Sequence, residues 1–345
     1  MGKAPGLVSG RRARRYLPWL GLPVSGACLY LALREGDARA VLTILAGARA
    51  GHVALAGALA LGGLVLMALR WRLLLRPVAR VGLGRAFSLL TIGYAVNYLV
   101  PGRLGEVTRA CLLGTFVGVS RVATLATVVV EKVLDGLVLL GLLSLFLPLA
   151  PLPAGAEQLG LYGSVVFLGA AGGLVAVRVF GSGSWRLGQR AFGRIPRVGA
   201  RCIRVVDSVG QGLATIELSW RTALVAVLTF AIWGQQALVV WVLLRGLAIE
   251  LPLSAALVLV VALALGSMIP AAPGFVGTYQ LVAVGVLAGF GVSPNEALAF
   301  SLLLHSTEYA LVLGTSLAGL AAERMSFYRL FALARATQAD AGGTT

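Results

Sequence analysis

Asn97-Tyr98-Leu99-Val100-Pro101-Gly102-Arg103-Leu104-Gly105-Glu106-Val107-Thr108-Arg109 is a polar break in an apolar chain. A hydrophobic run enters it from residue 86, and another leaves it from residue 110. Proline removes a backbone donor, and glycine permits dihedrals that end a helix. At membrane depth such a break is tolerated only where protein or a watery cavity satisfies the freed backbone. Ionisable side chains placed there are costly and point to function.

The break occurs twice. Pro273-Gly274-Phe275-Val276-Gly277-Thr278 repeats the P-G-x-x-G pattern of Pro101 to Glu106 in the second half of the chain. Gly118-Val119-Ser120 matches Gly291-Val292-Ser293 in the same order and at nearly the same offset. The alignment of those two glycines also puts Lys132 on His305 and Asp135 on Glu308. Upstream, Trp71-Arg72-Leu73-Leu74-Leu75-Arg76 resembles Trp241-Val242-Leu243-Leu244-Arg245. Ordered landmarks at nearly constant offset indicate an internal duplication. Duplicated halves with Gly/Pro-interrupted apolar segments in matching places point to a transporter binding site.

Composition sets the solvent. Of 345 residues, 59% are hydrophobic and 12% charged, and the mean hydropathy is +0.91. Several runs exceed the roughly 18 apolar residues that mark a span, so the chain is read as an all-α polytopic membrane protein. The net charge is +16, from 29 basic and 13 acidic residues. These basic residues sit in loops beside apolar spans, where the positive-inside rule explains them, so no nucleic-acid partner is expected. Cys28, Cys111 and Cys202 have no disulfide or metal spacing. No metal and no cofactor are expected.

Spans are expected at about 16–33, 52–70, 122–147, 161–178, 222–244 and 296–320, with broken segments at 86–118 and 254–290. The chain is one membrane domain, 1–345, with repeat A at about 52–147 and repeat B at about 222–320. The stretch 34–51 reads as a loop of mixed charge. Residues 182–221 form a polar insert in which Arg186, Arg190, Arg194, Arg197, Arg201 and Arg204 recur at helical spacing. A basic amphipathic helix on an anionic leaflet and a solvated, topology-setting loop both fit it. The N-terminus, 70–85, 178–221 and 323–335 are basic and, with the whole tail 323–345, are assigned to the cytoplasm. The loops 148–160 and 290–296 lack Arg and Lys and are assigned outside. These assignments agree if each broken segment enters and leaves on one side. The expectation is then inverted-topology repeats, six full spans and two re-entrant hairpins whose tips meet near the midplane. If the hairpin arms are themselves full spans, the count rises to between eight and ten.

Arg103, Glu106 and Arg109 recur three apart and share a face if the second arm is helical. A guanidinium suits phosphate oxygens, and a helix start favours an anion. With Asn97 and Gln280 they are the expected substrate-binding set, for a lipid phosphate. An internal Arg–Glu–Arg network that pins the hairpin is the compatible alternative. Glu131, Lys132 and Asp135, with His305 and Glu308, lie within expected spans. They are read either as an ion-coupling set or as a structural charge network tied to Arg103 or Arg109. Pro101, Gly102, Gly105, Pro270, Pro273, Gly274 and Gly277 are the expected hairpin breaks.

The ordered set Asn97…Pro101-x-Arg103-x-Gly105-Glu106-x-x-Arg109, Glu131-Lys132-x-x-Asp135 and Pro270-x-x-Pro273-Gly274-x-x-Gly277-x-x-Gln280 resembles the flippase-like lysylphosphatidylglycerol synthase transmembrane-domain family. The resemblance covers roughly residues 50–320. Many members carry Arg where Lys132 stands and Glu where Gln280 stands. The second departure removes a charge, so no mechanism resting on a carboxylate at that position carries over. The resemblance implies a bacterial or archaeal cytoplasmic-membrane protein that moves, or helps process, phospholipids or polyprenyl-phosphate lipids. Its aminoacyl-transferring members have a further soluble domain after the membrane part. Here only a short tail follows the last expected span, so no enzyme activity is expected.

The function expected is a flippase or scramblase-like transporter of an anionic or polyprenyl-phosphate lipid, with the head group between the two hairpins. The alternative is an accessory or enzymatic membrane subunit of lipid or glycolipid synthesis. Membrane lipids are the expected partners, with lipid-biosynthesis enzymes as further possible ones, and both termini are expected in the cytoplasm.

Overall fold

A computed structural model describes residues 21–34, 36–100, 104–146, 165, 168–169, 171–172, 220–267 and 271–326. The basic N-terminus, loop 148–160, most of the span expected at 161–178 and nearly all of the insert 182–221 lie outside the described residues. So do Pro101, Gly102, Arg103, Pro270 and the tail from 327 onward. Among the described residues there are ten α-helices, one 3-10 turn and no strand. The protein is an all-α membrane protein.

The helices are α1 (Gly21–Leu33), α2 (Ala38–Ala46), α3 (Ala50–Leu75), α4 (Leu83–Leu99), α5 (Gly105–Val117) and α6 (Arg121–Phe146), followed by α7 (Trp220–Gly246), α8 (Leu253–Gly266), α9 (Thr278–Gly289) and α10 (Pro294–Ala322). Helices α3, α7 and α10 are long and apolar enough to cross a bilayer. Helix α6 has 26 residues, about 39 Å at 1.5 Å per residue. Glu131, Lys132 and Asp135 interrupt its apolar sequence midway.

The four arms α4, α5, α8 and α9 have 17, 13, 14 and 12 residues. All are shorter than the roughly 20 residues that span a hydrocarbon core. Helix α4 packs on α5, and α8 on α9, as two helical hairpins. Exchanging α3, α4, α5 and α6 for α7, α8, α9 and α10 leaves the set of packed pairs unchanged. Helices α3 and α7 face one another, α4 packs on α10 as α8 packs on α6, and α3 touches α6 as α7 touches α10.

Lipid tails give no hydrophobic drive between helices, so close packing by small residues carries the association. A Cβ on Gly105 would run into the Gly93 carbonyl oxygen and the Asn97 side chain, so the arms of the first hairpin meet backbone to backbone. In the second hairpin Gly274 and Gly277 have φ of 69° and 91°. A Cβ on Gly274 would overlap the Tyr309 ring, and one on Gly277 would meet the Ser25 carbonyl of α1. Pro273 opens the 3-10 turn Pro273–Phe275, where a fixed φ is suitable. Phe275 itself sits at φ 61°, a left-handed conformation that costs a non-glycine residue about 1–2 kcal/mol.

Two expectations are corrected. The stretch 34–51 is not a loop throughout: it contains α2, started by the Asp37 side chain, which accepts from the Arg39 amide at 2.9 Å. Val41, Ile44 and Leu45 of α2 pack on Leu298 and Ala299 of α10. The charges around this short apolar face hid it. The second span continues past residue 70 to Leu75, with Arg70 and Trp71 buried inside it.

Candidate functional site

Two arginines and two carboxyl side chains meet between α3, α5 and α6. The Arg70 guanidinium donates to both Asp135 carboxylate oxygens and to Thr229 Oγ1 of α7 at 3.2 Å. Its second terminal nitrogen lies 3.7 Å from Glu131. Arg109 donates to the other Glu131 oxygen at 3.2 Å and sits over the Trp71 ring, 4.3 Å from the centroid. Arg70, Arg109 and Glu131 are each no more than 3% exposed. Two arginines against two carboxylates make a neutral cluster. Removing either sign would strand a charge in a medium that cannot solvate it.

A cavity of about 290 Å³ is lined by α3, α6, α7 and α10 and by residues of both hairpins, from Asn97 and Glu106 of the first to Phe275 and Tyr279 of the second. Its walls are mostly apolar, from Ala60 and Met67 to Val260 and Val312. Three ionisable groups face it: Glu106 from α5, Lys132 from α6 and Glu308 from α10. Lys132 Nζ stands 4.0 Å from Glu106, its side chain 45% exposed, so this pair is loose. Asn97 joins the first hairpin to the cavity. Its Oδ1 accepts from the Gly105 amide at 2.7 Å, and its Nδ2 faces both Glu106 oxygens at 3.3 Å. The Gly105 amide is one of the orphan donors of α5, so Asn97 serves as its remote cap.

On the opposite side Glu308 accepts from Gln236 Nε2 at 2.9 Å, and Tyr279 lines the same cavity. Tyr98 of α4 stacks on Tyr309 of α10 at 4.4 Å between ring centroids. Tyr279 stacks on His305 at 4.3 Å. His305 Nε2 is 2.9 Å from the Gly274 carbonyl, which only accepts, so Nε2 carries the proton. Nδ1 then accepts from Gln280 Nε2 at 2.9 Å, while Gln280 Oε1 accepts from the Gly277 amide at 2.7 Å. Every polar atom of this relay has a partner, with a neutral imidazole at its centre. It fastens the second hairpin tip to α10.

The expected site residues therefore divide. Asn97, Glu106, Lys132, His305 and Glu308 line the cavity. Gln280 is buried behind His305. Arg109, Glu131 and Asp135 belong to the ion cluster, and Asp135 also accepts from Trp233, a cavity residue, at 3.2 Å. Arg109, expected to hold a phosphate, reaches only a crevice of about 10 Å³, room for about one water. Arg70, Tyr94, Tyr98, Trp233, Gln236 and Tyr279 were not singled out from the sequence. Gln236, a carboxamide inside a span, carried a signal. Arg70 was masked by Arg72, Arg76, Arg80 and Arg85, which follow it and read as one topology-setting cluster. Among the described residues no group of three or more His, Cys, Asp and Glu is placed to hold a metal ion.

The model of one family, described as the lysylphosphatidylglycerol synthase TM region, matches residues 19–315. No curated protein and no solved structure matches the chain.

Proposed function

The chain belongs to the family of the lysylphosphatidylglycerol synthase TM region, a membrane family linked to lipid biology, and from that premise we propose that it is a lipid flippase or scramblase. Its cargo is a phosphate-bearing lipid, anionic or polyprenyl-phosphate. The observation that carries this reading is the cavity. It is lined by residues of both hairpins, and it presents Lys132, Glu106 and Glu308 within apolar walls. Ionisable groups facing an intramembrane cavity are the usual mark of a substrate path. Lys132 is the cation that meets the phosphate, and the acyl or prenyl chains stay in lipid.

The exchange-symmetric helix pairing supports two repeats of one unit, and the basic loops favour their inverted insertion, with both termini in the cytoplasm of a prokaryotic cell. Arms of 12 to 17 residues favour re-entrant hairpins. Rocking of one repeat against the other then opens the cavity to each leaflet in turn.

Reconstitution in liposomes tests the reading, by following transbilayer movement of labelled anionic phospholipid and of a labelled polyprenyl phosphate. Losing a charge-assisted contact of about 1.5–3 kcal/mol slows movement roughly 10- to 100-fold in Lys132→Ala, while Lys132→Arg stays active. Arg103→Ala, in the break of sequence between α4 and α5, is compared in the same assay. If the parent moves neither lipid, or if both alanine variants move lipid as fast as the parent, the proposed cargo site is wrong.

A further inference from the structure

The two repeats treat matching carboxylates differently. Asp135 and Glu308 occupy equivalent places in α6 and α10, in the alignment that sets Gly118 on Gly291. Asp135 is neutralised by Arg70. The Trp71–Trp241 correspondence places Val240 where repeat A has Arg70. Val240 is fully buried and lines the cavity into which Glu308 faces. The second repeat therefore keeps the acid and has lost its arginine.

We propose that Glu308 is a proton-binding site, and that its protonation and deprotonation are coupled to lipid movement; this rests on the transport reading above. The groups around Glu308 fit that role. Gln236 of α7, a neutral carboxamide, donates to it, and Tyr279 of α9 and Tyr98 of α4 line the same cavity. On α10 itself His305 is a neutral imidazole with both nitrogens engaged, and Tyr309 is stacked on Tyr98. Helix α3 brings only apolar residues and Gly63 to the cavity, and α8 with its C-cap brings only apolar residues and Ser267. Lys132 and Glu106 stand in the same cavity, loosely paired with each other. Among the described residues no cation is within ion-pair distance of Glu308.

An ionised carboxylate in mostly apolar walls, with one neutral side-chain donor, is unfavourable unless a positive charge joins it. One proton satisfies that demand and needs no further ligand. In a cycle the carboxylate takes a proton from cavity water while the cavity is open to one side. It returns that proton to cavity water on the other side, so one proton crosses per cycle and no bond other than O–H is made or broken. The Glu131 and Asp135 carboxylates are not placed to do the same, because each already has an arginine's charge beside it.

Two measurements on the full chain test this. In liposomes loaded with a pH-sensitive dye, lipid movement by the parent should change several-fold when a gradient of about two pH units is imposed or reversed, and lipid addition should move protons. In Glu308→Gln the ratio of rates with and without the gradient should fall to one, whatever the absolute rate, and Glu308→Asp should keep part of the response. A parent indifferent to the gradient, or a Glu308→Gln variant with the parent's ratio, overturns the proposal. Infrared difference spectra decide the proton site independently of transport. A carboxylic-acid band that titrates in the parent and is missing in Glu308→Gln supports the site even if no lipid moves, in which case the transport reading alone fails. No such band between acid and alkaline pH overturns the site.

Discussion

The Asp135 carboxylate on α6 is gripped by both terminal nitrogens of Arg70 on α3, the second at 3.1 Å. Arg70 is 1% exposed. This contact ties the first helix of repeat A to its last, beneath the cavity wall at Trp233.

Breaking that pair should cost more than removing it. Asp135→Leu leaves the Arg70 charge without its main partner and should destabilise the fold by about 3–5 kcal/mol. Replacing the pair together, with Arg70→Met and Asp135→Leu, should recover most of the loss. Thermal unfolding in detergent of the two single variants and the double variant gives the coupling. Additive losses would contradict the geometry.

Gly274 carries a second, separable expectation. Gly274→Ala meets two costs: a left-handed φ of 69°, about 1–2 kcal/mol for a residue with a Cβ, and overlap with the Tyr309 ring. Tyr309→Ala removes the overlap and leaves the dihedral cost. The two substitutions together should therefore be less destabilising than the sum of the singles, by at least about 0.5 kcal/mol. Melting temperatures of the four proteins of this cycle check it.

Gln280 faces a test that its hydrogen bonds define. Its Nε2 donates to His305 Nδ1. Gln280→Glu would put an acceptor against an acceptor and should cost about 1–3 kcal/mol while the imidazole stays neutral. Acidification, which lets the imidazole take a second proton, should restore the bond. The variant's melting temperature should then rise at acid pH relative to the parent's at the same pH. Parallel curves across the range would show that the tautomer assigned to His305 is wrong.

The sequence determined the solvent, the class and the places where the chain breaks. Apolar runs long enough to span a bilayer, a proline-glycine break repeated at near-constant offset, and charges at helical spacing are all local patterns. Local patterns survive in a sequence because period and length are properties of a single segment. Hence α3, α6, α7 and α10 and both hairpins fall close to their expected positions, and Asn97, Glu106, Lys132 and Glu308 were legible as polar groups in apolar surroundings. Short α2 was not, because its apolar face is covered by Leu298 and Ala299, which the chain supplies only in its last described helix.

Only the tertiary structure decided which charges cancel. Arg70 and Arg109 look alike in sequence to the arginines beside them, yet each is buried against a carboxylate on α6. Glu308 looks like Asp135, yet it faces a cavity whose equivalent arginine position holds Val240. An ion pair depends on two side chains brought within about 4 Å, and the residues that do this here lie as far apart as Arg70 and Asp135 in the chain. The separation of structural charges from those free to act is therefore fixed by packing, and no spacing rule along the chain expresses it.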